Sequence, residues 1–179
     1  MSDYTTLPDV LPAPEDDGAA DHLPGLPVPS LVMTATDGSL VDLSTLGGRS
    51  IVYLYPMTGV PGVALPEGWD LIPGARGCTP ESCGFRDHFA ELRAAGASAV
   101  FGLSSQTTDY QREAIERLYL PFGMLADPEL RLAESLRLPT FEAGGMRLYK
   151  RLTLVVRGGV IEHAFYPVFP PNEHAAAVI

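Results

Sequence analysis

Both cysteines of the chain fall within Pro73-Gly-Ala-Arg-Gly-Cys78-Thr-Pro-Glu-Ser-Cys83-Gly-Phe-Arg-Asp-His88. Thiol chemistry runs through the thiolate, so the question is what each sulfur feels. Thr79-Pro80-Glu81 reads as a helix start, with a capping hydroxyl, a proline suited to the first turn and an early acid. Phe85, Phe89, Leu92 and Ala95 then recur at helical spacing, and Gly96 is a C-terminal stop. Cys78 therefore lies at the mouth of a helix and Cys83 inside it, five residues on.

Unsatisfied N–H groups and the positive end of the helix dipole favour a thiolate at Cys78, and with it a reactive sulfur. Glu81 opposes this as a like charge, and Arg76 supports it. The balance between them is open in sequence. Residues five apart in a regular helix have Cα atoms roughly 8.5 Å apart and point about 140° from one another. A disulfide tolerates about 7 Å. If the two cysteines bond, the first turns must unwind, so the pair is a candidate switching couple rather than a permanent staple.

Gly77-Cys-Thr-Pro-Glu-Ser-Cys-Gly-Phe-Arg-Asp87 resembles the active-site helix of the peroxiredoxin family. The subgroup it is similar to is the bacterioferritin-comigratory (Q-type) atypical two-cysteine one. The resemblance covers about residues 25–175. It implies a thioredoxin-like fold and a peroxidase for hydrogen peroxide or small organic hydroperoxides. By the same resemblance Cys78 becomes a sulfenic acid and Cys83 resolves it as a disulfide, which a thioredoxin-type protein reduces. Arg151, in Arg151-Leu-Thr153, matches the arginine that the family places over the reactive sulfur. One departure stands out. The family pattern is Pro-x-x-x-Thr-x-x-Cys, and here Ala75 occupies the threonine position. Pro56, displaced by a long insertion, or Pro73 fills the proline role, and Thr58 or Thr79 would have to supply the hydroxyl.

The residues by themselves also allow plainer roles. Cys78 and Cys83 fit buried core positions, the commoner fate of a cysteine outside a disulfide. Arg151 fits a solvated strand end beside Lys150 and Arg147, and Arg86 a structural ion pair. His22, His88, His163 and His174 show no ligand spacing with the cysteines, and each suits a solvated or capping role. Two cysteines cannot form a four-thiolate zinc site, and no cofactor signature is present. Two other functions compete with the peroxidase. A thiol–disulfide oxidoreductase would need a proline facing the dithiol, for which Leu138-Pro139-Thr140 is available. A peroxide sensor would use the same disulfide as a signal.

The elements that must position these residues are legible around them. Residues 1–24 carry Asp3, Asp9, Glu15, Asp16, Asp17 and Asp21 with no Lys or Arg, over half of the net charge of −10. They read as a poorly ordered acidic arm, a solubilising tail or a loose wrap on the domain. Residues 25–179 read as one domain. Leu31–Ala35 and Ser39–Leu43 form a hairpin about Asp37-Gly38. Ile51–Tyr55 is a continuous apolar run, the mark of a central buried strand. Met57–Gly77 is a long Pro/Gly-rich loop with Trp69 in its middle, either a rim on the site or a surface insertion. Ala99–Leu103 is a strand, Thr108–Leu118 a helix, Phe122–Leu125 a strand and Pro128–Leu136 a helix. Arg151–Arg157 and Val160–Tyr166 form a hairpin through Gly158-Gly159, and a last helix follows Asn172. The order predicts an α/β protein with a central mixed sheet flanked by helices. The acidic balance argues against nucleic acid and anionic membranes, and no apolar run is long enough to span a bilayer. The first residues lack a signal-peptide pattern, which with two close cysteines points to the cytoplasm. Resolution within one chain permits a monomer.

Overall fold

The structure, a computed structural model, describes residues 4–179; Met1, Ser2 and Asp3, placed in the acidic arm above, lie outside the described residues. The expected central strand is β3 (Arg49–Leu54), buried from Ser50 onward. In chain order around it run β1 (Val32–Ala35), β2 (Leu40–Asp42), α1 (Cys78–Asp87), α2 (Phe89–Ala94), β4 (Ala97–Ser104) and α3 (Thr108–Leu118). Then follow β5 (Gly123–Ala126), α4 (Arg131–Leu136), β6 (Thr140–Ala143), β7 (Met146–Tyr149), β8 (Leu152–Arg157), β9 (Val160–Phe165) and α5 (His174–Val178). The main sheet has the order β2-β1-β5-β4-β3-β8-β9. β3, β4 and β5 are parallel, and the remaining pairings in it are antiparallel. This is the mixed α/β sheet that the sequence predicts.

Alternation along β3 explains why it reads as unbroken apolar sequence. Val52 and Leu54 face one core with Leu132 and Leu136 of α4. Ile51, Tyr53 and Tyr55 face the other, with Phe85 of α1, Leu92 of α2, Leu118 of α3 and Ala175 of α5. A strand covered on both faces needs no polar side.

Two elements differ from expectation. α4 starts at Arg131 rather than Pro128, because the Asp127 carboxylate caps it from four residues back. It accepts from Arg131 N at 2.9 Å and Leu132 N at 3.0 Å, and from the Tyr149 hydroxyl at 2.6 Å. The hairpin β6–β7 was not expected at all. Its turn, Gly144-Gly145, has φ of 57° and 75°, close to the 57° and 78° of Gly158-Gly159 between β8 and β9. The same mirror-image turn that marks one hairpin in sequence therefore marks a second.

The acidic stretch is laid along the domain over residues 4–24. Asp17 accepts from the Tyr166 hydroxyl at 2.9 Å and faces Lys150 Nζ at 3.6 Å. Ala20 and Leu23 are buried in the α4-side core, and His22 Nε2 meets the Leu136 carbonyl at 2.7 Å. Among the described residues no helix is long and apolar enough to cross a membrane.

His174 corrects the expectation of a solvated or capping role. It is buried against Phe85 and Phe165, with Nε2 2.7 Å from Thr153 Oγ1. Burial, aided by the charge of Arg151, lowers its pKa to about 4. The folded state thus holds it neutral while the unfolded chain takes a proton below its ordinary value. Its contribution is present above about pH 6.5 and is lost as the pH falls toward 4. In urea unfolding, the stability lost between pH 7 and 4.5 should be smaller by about 2 kcal/mol in His174→Gln than in wild type. An equal loss in both proteins would show that His174 is not the group responsible.

Candidate active site around Cys78

Three elements converge on Cys78. β3 and β8 run antiparallel with Leu54 opposite Leu152, so the exit of one strand and the entry of the other lie side by side. The exit delivers Tyr55, Pro56 and Met57, and the residue just before β8 is Arg151. α1 brings Cys78 as its first residue. Gly77, at φ 114°, is its N-cap and provides no side-chain bond. The expected cap, Thr79, instead lies inside the first turn, its Oγ1 buried with no hydrogen-bond partner among the described residues.

Cys78 is 2% exposed. Its Sγ accepts from Arg151 Nη2 at 3.2 Å and from the Met57 N–H at 3.4 Å, and lies 3.8 Å from the Ala75 carbonyl. Arg151 is held by a fork. Nη2 also reaches the carbonyls of Ala75 at 3.1 Å and Gly74 at 3.2 Å, and Nη1 donates to Glu81 Oε2. So the structure brings Arg151 onto Cys78, as the sequence reading placed it. Arg76, expected to help, spends its guanidinium on Asp70 at 2.8 Å.

Glu81 is the residue that sequence reasoning read least well. In sequence it counts only as a competing charge at the helix end. It is in fact fully buried and is the counter-ion of Arg151. The signal was its spacing. Residues three apart share a helix face, so a guanidinium over Cys78 is also over Glu81.

The electrostatic balance left open above is decided by burial. It pushes the Cys78 thiol above its ordinary value, with Arg151 pulling down, Glu81 pushing up and the Met57 N–H pulling down. Burial also pushes the Glu81 carboxyl up, to about 7, against the pull of Arg151. One guanidinium thus faces both the thiol and the carboxyl. The helix start alone does not make the sulfur acidic; Arg151 and the Met57 N–H are what favour its ionised form.

Cys83 lies on the same helix, half-buried, and is not bonded to Cys78. Gly84 beside it serves close packing: a Cβ there would lie 3.3 Å from the Asn172 carbonyl oxygen. Arg86 pairs with Asp87 at 2.9 Å and donates to the Leu118 carbonyl at 2.8 Å, the structural role expected of it.

The loop between β3 and α1 takes both parts considered for it. Trp69 is buried with Ala75 and Leu148 and stands 6.0 Å from Phe141. It also lines, with Met57, Leu65 and Thr79, a cavity of about 10 Å³ at Cys78, close to the space of one water molecule. Thr58 is buried, with Oγ1 3.4 Å from Gln106 Oε1, and does not line this cavity. Pro139 meets Lys150 N through its carbonyl at 3.0 Å and does not line this cavity.

A protein-family model described as Redoxin matches residues 23–179. The chain is 29% identical over 152 residues to the chloroplastic peroxiredoxin Q of Oryza sativa subsp. japonica, covering 84% of this chain and 62% of that one. The chain thus spans less than two thirds of that relative's length. Peroxidoxin BcpB from Mycobacterium tuberculosis superposes with a TM-score of 0.68 at 22% identity, covering 87% of this chain and 94% of its own. A cysteine mutant of Xylella fastidiosa PrxQ gives a TM-score of 0.68 at 16% identity, with 88% and 93% covered. The fold is the thioredoxin-like one that the resemblance of the cysteine helix implies and with which the order of elements is compatible.

Proposed function

The chain belongs to the Redoxin family, and from that premise we propose that it is a thiol-dependent peroxidase acting through Cys78. One observation carries the reading: the sulfur sits at a one-water cavity with two preset donors, Arg151 Nη2 and the Met57 N–H, aimed at it. The Cys78 thiolate attacks one oxygen of hydrogen peroxide or a small organic hydroperoxide. The O–O bond breaks, the sulfur becomes a sulfenic acid, and the released hydroxide or alkoxide takes a proton to leave as water or alcohol. Arg151 favours the anion before attack and the charge that builds as the bond breaks. A thiolate raised by burial is scarcer at neutral pH but more nucleophilic once formed. Of the hydroxyls available to replace the motif threonine, Thr79 is favoured, since it lines the cavity and its Oγ1 has no hydrogen-bond partner among the described residues.

Cys83 then displaces water from the sulfenic acid to give a disulfide, and a thioredoxin-type dithiol protein returns both thiols by exchange. Helix spacing keeps the two sulfurs apart in the reduced state, so the first turn of α1 must open. Gly77 is where it opens, and Pro171 and Leu7 pack there and must yield. We take residues 25–179 as the domain that carries the reacting residues, able to act as a monomer, in a reducing compartment such as the cytoplasm.

The test is peroxide consumption coupled to a thioredoxin system. Cys83→Ser should react once and stop, accumulating one sulfenic acid per chain that a dimedone-type trap records by mass. Sustained turnover by that variant with a dithiol protein as sole reductant would remove the resolving role. A wild-type protein that consumes no peroxide would remove the function.

A further inference from the structure

We propose that the N-terminal arm roofs the Cys78 site, with Tyr4 as the residue that limits substrate size. It admits hydrogen peroxide in preference to hydroperoxides bearing an aryl or branched alkyl group. This rests on the peroxidase reading above and narrows its substrate class.

The arm meets the site at built contacts. Tyr4 lines the same small cavity as Cys78. Its hydroxyl donates to the Val63 carbonyl at 2.5 Å, and the Arg76 guanidinium carbon stands 5.3 Å from its ring centre. Two glycines make room for the arm. A Cβ on Gly59 would lie 2.3 Å from Tyr4 Cδ2, so a side chain there would expel the ring. A Cβ on Gly77, the cap of the cysteine helix, would lie 3.0 Å from Leu7 Cδ2. Further on, Asp17 ties the arm to Tyr166 and Lys150.

The physical consequence is steric. Hydrogen peroxide adds only two oxygens to a cavity that holds about one water, and a small yielding of the walls accommodates it. A cumyl group needs the volume that the Tyr4 ring fills. The contacts of Tyr4 include the Val63 carbonyl and the Arg76 guanidinium, and Tyr4 is not one of the buried core side chains, so it can be replaced without opening the core.

The experiment compares kcat/KM for cumene hydroperoxide and hydrogen peroxide in wild type, Tyr4→Ala and Tyr4→Phe, as full chains with a thioredoxin system. The cumene-to-hydrogen-peroxide ratio should rise about tenfold or more in Tyr4→Ala and stay near the wild-type ratio in Tyr4→Phe, which keeps the ring. An unchanged ratio in Tyr4→Ala, or two rates moving in parallel, overturns the proposal. A second readout needs no peroxide. In a Cys83→Ser background, Tyr4→Ala should speed alkylation of Cys78 by pyrenylmaleimide more than by iodoacetamide. Equal acceleration of the two reagents counts against the roof. A protein that gates the bulky reagent yet consumes no peroxide refutes the peroxidase reading and leaves the roof; peroxide turnover with no size dependence refutes the roof alone.

Discussion

Cys78→Ser is expected to lower peroxide consumption by about a thousandfold or more, to the rate of the reductant alone. The substitution is nearly isosteric, and the serine oxygen can still accept from Arg151 and the Met57 N–H, which now hold the sulfur at 3.2 Å and 3.4 Å. The fold should therefore survive, as a thermal melt would confirm. What is lost is chemical. A serine hydroxyl does not ionise near neutrality and does not take an oxygen from a peroxide to a resolvable intermediate. Cys83 cannot substitute. It lies about 140° round the helix from Cys78, away from the donors that favour charge. Residual consumption that disappears only on alkylating Cys83 would show that the wrong sulfur has been assigned.

How much of this was legible in sequence follows from the range of each interaction. The cysteine helix, the central strand and the β8–β9 hairpin are local patterns, and each was read correctly in type. Arg151 was placed over Cys78 by resemblance, and the register Leu54↔Leu152 gives the physical reason: it brings the start of β8 to the end of β3. The residues missed depend on contacts that no short pattern encodes. Glu81 changes from a repelling charge to a counter-ion only when Arg151 arrives from seventy residues away. The Met57 N–H reaches the sulfur, 21 residues on in sequence, only because the loop returns to where it left. Tyr4 sits in an acidic, proline-rich stretch whose composition argues for looseness, and its docking is recorded instead at Gly59 and Gly77, the positions that make room for the arm. The hairpin β6–β7 is a different kind of miss. Its Gly144-Gly145 signal is local, but the strands either side of it are only four residues long and carry little apolar alternation.

Arg151→Met is expected to slow the reaction of Cys78 with peroxide by about a hundred- to a thousandfold. Two effects combine. Arg151 is the cation that pulls the thiol down against burial, so its loss should move the pH profile of Cys78 alkylation to higher pH. The donor that meets developing charge on the peroxide oxygen goes as well, so peroxide reactivity should fall further than alkylation does. A structural account has to be separated from this one, because Arg151 and Glu81 are both buried. Breaking such a pair costs about 3–5 kcal/mol when a charge is left behind. Here the carboxyl already lies near neutrality, its pKa at about 7, and without the guanidinium it can take a proton instead. Its sign is opposite to that of His174. A carboxyl raised by burial contributes stability below its ordinary value of 4.5, which is lost as pH rises through about 7. The double variant Arg151→Met/Glu81→Gln removes that penalty. It should recover stability above pH 7 relative to the single variant without recovering peroxide reactivity. Lysine is no remedy, since a single ammonium cannot fork between Cys78 and Glu81 as the guanidinium does. If the double variant regains wild-type reactivity, Arg151 serves only to neutralise Glu81, and the charge that drives O–O cleavage must be met by another donor.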